Sequence, residues 1–443
     1  MNQYLDFSEL KKLLKNATPY YYVKKFKNMI DTLIKKANKF ADNNKKLIYL
    51  VNNINDMHFR IYKLDKSLKY PSGFIIAYTK NNGDKFTSKK NGKFVVIRSN
   101  IDKIHTGDII LEFDNRNILD IITSLINSYK IPGYNPILTL GDLQERALKL
   151  LLYYTPKIIK LKRDGLSQII TVSGTTKEIE FNSIKNQFYK NIQINGNKTF
   201  YFSIKGFNIK VINKDEYLQI LDYLATNTDL YKNIIIDLRK SIGGDGTYVF
   251  LLLKAIYGSK ITSYLRDIRN IQSVYKVSPL LVKWFEDRGD QENIDMIKKA
   301  MELNNEYVYN PKVRNKITVI KPSIENIKFK GDIIILYDFH CGSACSILLE
   351  QLKIIRKEFG MNIIFLGTED GYDTKFTHPY SILYKNYKLV IPTKYNKYRM
   401  RDNYETIKPD YYYYDTTYEF IIPIKLIGDL LKSKQSSYKI NYI

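Results

Sequence analysis

Cysteine and long apolar segments are scarce in this chain of 443 residues. Two cysteines are too few for a disulfide framework, so their number favours a reducing compartment. The first residues lack the apolar core of a signal peptide, and no apolar run reaches the roughly 18 residues that a membrane-spanning helix requires. We therefore expect a cytoplasmic protein without a transmembrane segment.

Histidine is also rare, which shortens the search for a general base. The four histidines are His58, His105, His340 and His378. Lys375 is a further candidate, because a desolvated lysine can be neutral at about pH 7. Any single histidine is more often structural than catalytic, so the choice among them depends on neighbouring motifs.

Charge and composition limit the class of protein. The formal net charge is +25, but the basic residues are spread along the whole chain and form no tail or recognition helix. This pattern favours a solvated basic surface over a surface for nucleic acid or an anionic membrane. Hydrophobic residues make up 44% of the chain, which excludes general disorder, and its length predicts two or three domains.

Hydrophobic spacing divides the chain into four parts. Apolar residues at helical spacing predict a helical region over 1–65, and short strand-like runs between turns predict a β module over 66–135. A connector is expected over 136–195, with a helix over 143–153 and then a β-hairpin whose turns lie at Asp164-Gly165 and Ser173-Gly174. Over 196–443 continuous apolar strands alternate with helices, which indicates a buried and largely parallel sheet, with a charged helical excursion at 278–307.

Two segments of this last part carry the candidate chemistry. The segment 331–350, GDIIILYDFHCGSACSILLE, predicts a strand, a turn of small residues and a helix that begins near Ser343. The segment 234–246, IIIDLRKSIGGDG, predicts a strand followed by the pair Gly243 and Gly244, whose amides would be exposed. A nucleophilic serine beside an oxyanion site is expected from this pair of turns, and hence a serine hydrolase. Taken separately, the serine is more typical of a helix N-cap and the glycine pair is more typical of an ordinary loop.

The chain resembles a known family, the tail-specific or C-terminal processing serine peptidases, which include the tricorn core protease. The likeness covers about residues 45–415 and is densest over 230–410. The segments that carry it are NDMH at 55–58, HTGDIILEFD at 105–114, IIIDLRKSIGGD at 234–245, GSA at 342–344 and, less clearly, IFLG at 364–367 and KPD at 408–410.

The resemblance implies site residues as well as an activity. In the tricorn-like branch a histidine from the N-terminal region and a late acidic residue assist the serine, which corresponds here to Ser343 with His58 as base and Glu405, or Asp402, as its partner. The Ser-Lys branch would need a Gly-Lys motif that this chain lacks, so Lys375 fits it poorly. Backbone amides of Gly243 or Gly244 together with Ala344 would form the oxyanion site.

The fold implied by the resemblance is an α/β multidomain protein with a helical N-terminal region, a PDZ-like β module and a crotonase-like α/β catalytic core. It would be an endopeptidase that acts on polypeptides and needs no metal or organic cofactor. Two departures from the family pattern leave an alternative open. The family often has Ser-Ser-Ala and a following acidic residue, whereas here Cys341-Gly342 precedes Ser343 and Cys345-Ser346 follows Ala344. Ser241-Ile242 stands before the glycine pair where Asn and an extra small residue are usual. The alternative is an inactive homologue that binds polypeptide or nucleic-acid partners.

Overall fold

A computed structural model describes most of the chain. The described residues are 7–22, 24–41, 46, 49–50, 60–63, 69–70, 73–79, 92–127, 156–172, 179–180, 188–208, 213–241, 243–270, 273–309, 319–338, 340–368, 376–384, 387–396, 407–413 and 422–438. Among these residues no helix combines the length and the apolar character that a membrane span requires.

The described chain contains both helices and strands, which alternate mainly after β11. The α-helices are α1 (Phe7–Ala17), α2 (Lys24–Ala37), α3 (Ile118–Asn127), α4 (Lys214–Asn227), α5 (Gly246–Tyr257), α6 (Ser259–Asn270), α7 (Pro279–Glu286), α8 (Gln291–Glu302), α9 (Ala344–Phe359) and α10 (Ile424–Tyr438). The strands are β1 (Arg60–Lys63), β2 (Lys69–Tyr70), β3 (Phe74–Thr79), β4 (Lys93–Ser99), β5 (Ile109–Phe113), β6 (Arg116–Asn117), β7 (Ile158–Arg163), β8 (Leu166–Thr171), β9 (Ile179–Glu180), β10 (Phe188–Ile194), β11 (Asn197–Ser203), β12 (Asn233–Asp237), β13 (Ser273–Lys276), β14 (Tyr307–Tyr309), β15 (Asp332–Tyr337), β16 (Ile363–Gly367), β17 (Phe376–Tyr384), β18 (Tyr387–Asn396) and β19 (Tyr411–Tyr412).

The N-terminal helices form as the apolar spacing predicts. Phe7, Leu10 and Leu14 lie on one face of α1 and are buried, because residues three and four apart share a helix face. The predicted helical region differs from the structure at its end. Residues 60–63 form strand β1, which pairs antiparallel with β18, a strand more than three hundred residues later in the chain. Helical spacing upstream gives no sign of such a distant partner.

The predicted β module contains an antiparallel sheet in the order β3-β4-β5-β7-β8, and α3 follows directly after the short strand β6. The expected hairpin turn at Asp164-Gly165 is present, with φ of 46° and 85° at these residues. This hairpin, β7–β8, belongs to the same sheet because β7 pairs with β5. The turn expected at 173–174 and the helix expected at 143–153 lie outside the described residues.

The largest core surrounds a sheet in the order β10-β11-β12-β15-β16-β19. All neighbours from β11 onward run parallel. Every residue of β12 and β16 is buried, which explains why these strands are apolar without alternation. The helical excursion expected at 278–307 contains α7 and α8, and the strands on either side of it, β13 and β14, belong to a different sheet with β1, β17 and β18.

Candidate active site

The two candidate segments meet at one edge of the central sheet. Strands β12 and β15 are parallel neighbours, with Asp237 in register with Leu336. Each strand is followed by a turn and a helix, α5 after β12 and α9 after β15. Because the carboxyl ends of parallel strands lie at the same edge, these turns lie side by side, the position at which open α/β sheets bind ligands.

Ser343 lies at the end of the second turn, immediately before α9, in an unusual backbone conformation. Its φ is 55° and its ψ is −119°, and its side chain accepts no capping hydrogen bond from the first turn of the helix. A side chain other than glycine in this region costs about 1–3 kcal/mol and persists only where its surroundings fix it. A sharp strand-to-helix turn of this kind is how α/β hydrolases expose a serine nucleophile. Ser343 therefore occupies the N-cap position of α9 without capping the helix through its side chain.

Gly243 lies against that serine turn. A Cβ atom built on Gly243 would be 2.2 Å from the Gly342 carbonyl oxygen, 2.9 Å from the Ser343 Cβ and 3.1 Å from the Ala344 nitrogen. Its φ is 85°, in the left-handed region that favours glycine. Glycine is therefore needed here both for the backbone conformation and for the close approach of the two turns.

Gly244 faces the other way. It forms a parallel β-bridge with Phe207, and a Cβ atom built on it would meet the carbonyl carbon of Phe207 at 2.3 Å. Within the described part of the chain, the N–H groups of Gly243 and Gly244 donate no backbone hydrogen bond. The Ala344 N–H belongs to the first turn of α9, where no helical carbonyl is available to accept it. The amides of Gly243, Gly244 and Ala344 are therefore not used in backbone hydrogen bonds within the described residues, and their role as an oxyanion site stays a prediction.

A buried ion pair holds the start of the glycine turn. The Arg239 guanidinium donates to both carboxylate oxygens of Asp237, at 2.9 and 2.6 Å, and the Tyr201 hydroxyl donates to the same carboxylate at 2.6 Å. Burial alone would raise the pKa of the Asp237 carboxyl, but Arg239, Lys205 and Tyr201 outweigh it and hold that pKa below its ordinary value. The carboxylate is therefore ionised and fixes the turn at neutral pH.

A second buried carboxylate, that of Asp338, links the two turns. Its oxygens accept hydrogen bonds from the Lys240 N–H, at 3.0 and 3.1 Å, and from the His340 N–H at 3.0 Å. The Nδ1 atom of the His340 ring lies 3.2 Å from one of them. Burial would raise the pKa of Asp338, but His340 and the backbone donors lower it overall. Asp338 thus joins the glycine turn to the serine turn as an acceptor of several bonds.

A disulfide closes the serine turn. The sulfur atoms of Cys341 and Cys345 are bonded to each other, so the ring encloses Gly342, Ser343 and Ala344. The small number of cysteines predicted a reducing compartment and no disulfide framework. The structure corrects this prediction, because the two cysteines form one disulfide. Cysteine usage therefore no longer favours a reducing compartment, and a cytoplasmic location stays a prediction that nothing here tests.

Of the other sequence candidates, His58, Glu405, Asp402 and Lys375 lie outside the described residues, as does the side chain of His378. His105 lies in the turn before β5, where its Nε2 atom is 2.9 Å from the Asp102 carbonyl oxygen. Asp338 is not among the predicted site residues, although two features of the sequence indicate it. This aspartate directly follows a buried strand, and Asp237 ends the neighbouring one.

The arrangement brings a serine on a strained turn close to a glycine turn with amides that donate no backbone hydrogen bond. A nucleophile and oxyanion donors are the groups that acyl transfer requires. Among the described residues no cluster of three or more His, Cys, Asp or Glu side chains has the arrangement of a metal site.

Solved structures share this fold. Mature CPAF complexed with lactacystin has a TM-score of 0.59 to this chain at 13% identity, with 97% of each chain covered. A second structure of mature CPAF gives 0.56 at 13% identity and covers 91% of this chain and 90% of that one. The photosystem II D1 C-terminal processing protease covers 90% of this chain and 89% of that one at 10% identity, but its TM-score of 0.34 is too low to carry an argument. No family model and no curated protein matches the sequence.

These structural neighbours are tail-specific, S41-type peptidases. At 13% identity the likeness to CPAF shows the fold and leaves the activity open. The predicted resemblance and the mixed α/β fold are confirmed, whereas the PDZ-like and crotonase-like modules stay predictions.

Proposed function

We propose, from the fold that this chain shares with tail-specific serine peptidases, that it is a serine endopeptidase that hydrolyses polypeptides through an acyl-enzyme on Ser343. The observation that supports the proposal is the close approach of Gly243 to the turn that carries Ser343 and Ala344. In this mechanism the Ser343 Oγ attacks the scissile carbonyl carbon. The Ala344 and Gly243 or Gly244 amides stabilise the oxyanion, and water later releases the acyl group.

The proton acceptor comes from the sequence resemblance. We assign the general base to His58 and its orienting partner to Glu405, with Lys375 as the alternative base. A histidine base takes the serine proton and returns it to the leaving amine, and a carboxylate partner stabilises the imidazolium. The proposal requires the segment that contains His58 to lie over the serine turn.

The finer architecture is also part of the proposal. We assign a PDZ-like role to the sheet β3-β4-β5-β7-β8 with α3, and a crotonase-like role to the central sheet with α5 and α9. A PDZ-like module would bind a polypeptide end beside the site, and polypeptides are the substrate class that the proposal implies.

A fluorophosphonate probe tests the function directly, because it reacts with activated serines and needs no knowledge of the substrate. The protein is incubated with the probe, and the labelled peptide is identified by mass spectrometry. We expect modification at Ser343 together with hydrolysis of an unfolded protein substrate. An unmodified Ser343 and an intact substrate would favour the alternative of an inactive homologue that binds polypeptides.

The identity of the base is tested by two separate substitutions. His58→Ala is expected to lower kcat by at least about 10⁴-fold, since removal of a catalytic histidine leaves only binding and oxyanion stabilisation. Lys375→Ala is expected to leave kcat nearly unchanged. In the dependence of kcat on pH, the acidic limb should have its midpoint at about pH 6.5, the ordinary pKa of a histidine. Loss of turnover in Lys375→Ala with retention in His58→Ala would reverse the assignment.

Asp338→Asn is expected to lower kcat about 10- to 100-fold with little change in KM, since a small misplacement of the two turns is enough to slow the chemistry. The amide cannot accept all the bonds of the carboxylate, so we also expect a loss of about 1–3 kcal/mol in the free energy of unfolding. The pKa of Asp338 is lowered in the folded state, so its carboxylate stabilises the fold fully at a pH above the ordinary pKa of an aspartate. This stabilisation is lost as the pH falls through the lowered pKa of the folded state. The effect on kcat should therefore persist at neutral pH.

The matched control is Asp108→Asn. Asp108 is also a buried carboxylate, bonded to Arg163 at 2.7 and 2.6 Å, but it lies in the β5 region, in another sheet. This variant should lose comparable stability and keep its kcat. Equal kcat values for the two variants would show that Asp338 has no particular role in the site.

A further inference from the structure

The disulfide of the serine turn is placed where it can govern the nucleophile. Cys341 precedes Ser343 by two residues and Cys345 follows it by two, so the bond closes a ring around the serine. Both cysteines are fully buried, whereas Ser343 is partly exposed. A substrate can therefore reach the ring at Ser343, while the disulfide itself is buried.

The conformation of Ser343 needs such a constraint. Its φ of 55° is disfavoured for any side chain, so surrounding groups must hold it. On the N-terminal side Asp338 accepts from the His340 N–H, and its carbonyl oxygen accepts from the Cys341 N–H at 2.9 Å. On the C-terminal side the Cys345 N–H donates to the Gly342 carbonyl at 3.1 Å, a bond within the turn itself. The disulfide is the covalent connection between these two sides.

We propose that Cys341 and Cys345 are positioning residues, and that reduction of their disulfide by a dithiol reversibly switches off the peptidase by releasing the Ser343 turn. The oxidised form is then the active one. This inference rests on the proposed function for its effect on turnover. Its effect on the turn stands on the disulfide and the backbone conformation alone.

The chemistry of the switch is thiol–disulfide exchange. A thiolate of the dithiol attacks one protein sulfur and forms a mixed disulfide, and the other protein sulfur leaves as a thiolate and takes up a proton. The second thiol of the reagent then displaces the first protein sulfur. The dithiol is oxidised to a disulfide, and Cys341 and Cys345 become thiols. Because both sulfur atoms are buried, exchange requires the turn to open, and we expect it to be slower than for an exposed disulfide.

The experiment compares the oxidised protein with the same protein after treatment with dithiothreitol, and again after the reagent is removed and the thiols are reoxidised by oxidised glutathione, which is itself reduced to two glutathione thiols. Alkylation and mass spectrometry confirm the thiol state at each step. We expect reduction to lower kcat roughly 10- to 100-fold with KM little changed, and reoxidation to restore it. The double variant Cys341→Ser/Cys345→Ser should have the low kcat of the reduced protein and no response to the reagent.

Amide hydrogen exchange over residues 340–347 supplies a readout that does not depend on activity. Faster exchange in the reduced protein is expected, with the exchange of β8 and α8 unchanged. An unchanged exchange rate, or a kcat that stays the same or rises once both cysteines are alkylated, would overturn the inference. Absence of turnover and of probe labelling in the oxidised protein would instead overturn the proposed function, while the exchange measurement still decides whether the disulfide holds the turn.

Discussion

Replacement of Ser343 by alanine is expected to abolish peptide hydrolysis, with a fall in kcat of roughly 10⁶-fold, as when the nucleophile of a serine protease is removed. The folded state should change little, since the hydroxyl makes no capping bond to α9. We expect the free energy of unfolding to remain within about 1 kcal/mol of the original value. Turnover of an unfolded protein substrate, probe labelling and thermal unfolding are the measurements.

The control for this variant is Ser323→Ala. Ser323 is an exposed serine whose hydroxyl caps a short 3₁₀ helix by accepting from the Glu325 N–H at 3.3 Å. Its loss should lower stability slightly and leave labelling and turnover intact. Hydrolysis that persists in Ser343→Ala at the rate of this control would remove Ser343 as the nucleophile.

Gly243→Ala is expected to lower kcat by about 10²–10³-fold, the usual effect of losing one oxyanion donor. The new Cβ would overlap the Gly342 carbonyl oxygen at 2.2 Å, so the two turns must move apart. The left-handed φ of 85° adds a backbone penalty that lowers stability. Substrate affinity depends on other contacts, so KM should change far less than kcat.

The penalty from φ alone can be subtracted with Gly165→Ala. Gly165 also has a φ of 85°, but nothing lies within 4 Å of a Cβ built there. This variant should lose only the stability that the backbone penalty accounts for and should keep full turnover. A Gly243→Ala protein that is as active as Gly165→Ala would exclude the Gly243 turn from the oxyanion site.

The order of elements in the catalytic part could be predicted because its strands are apolar throughout. Segments such as IIID and IIIL are buried on both faces, which is typical of a parallel sheet covered by helices. The turns that follow these strands could be predicted as well, because small residues interrupt the apolar run at the end of each strand. Adjacent parallel strands then place Gly243 beside Ser343.

The contacts that hold these turns could not be predicted, because they depend on register and on backbone angles. The bond from the Lys240 N–H to Asp338 spans 98 positions and forms only when β12 and β15 pair in the observed register. The disulfide forms because Cys341 lies in the turn and Cys345 in the first turn of α9, a geometry that spacing alone does not fix. The choice of His58 as base rests on resemblance and stays a prediction.

The pairing of β12 with β15 also determines when the site comes into existence during synthesis. The ribosome delivers the glycine turn first, and the intervening segment forms parts of another sheet before β15 and its serine follow. In the finished sheet β15 lies between β12 and β16, and two of the six strands, β16 and β19, follow it in the chain. A nascent chain that has not reached Asp332 holds the glycine turn without the serine turn. Under the proposed function, such a chain lacks the nucleophile with which it would cut itself or its neighbours before its core is assembled.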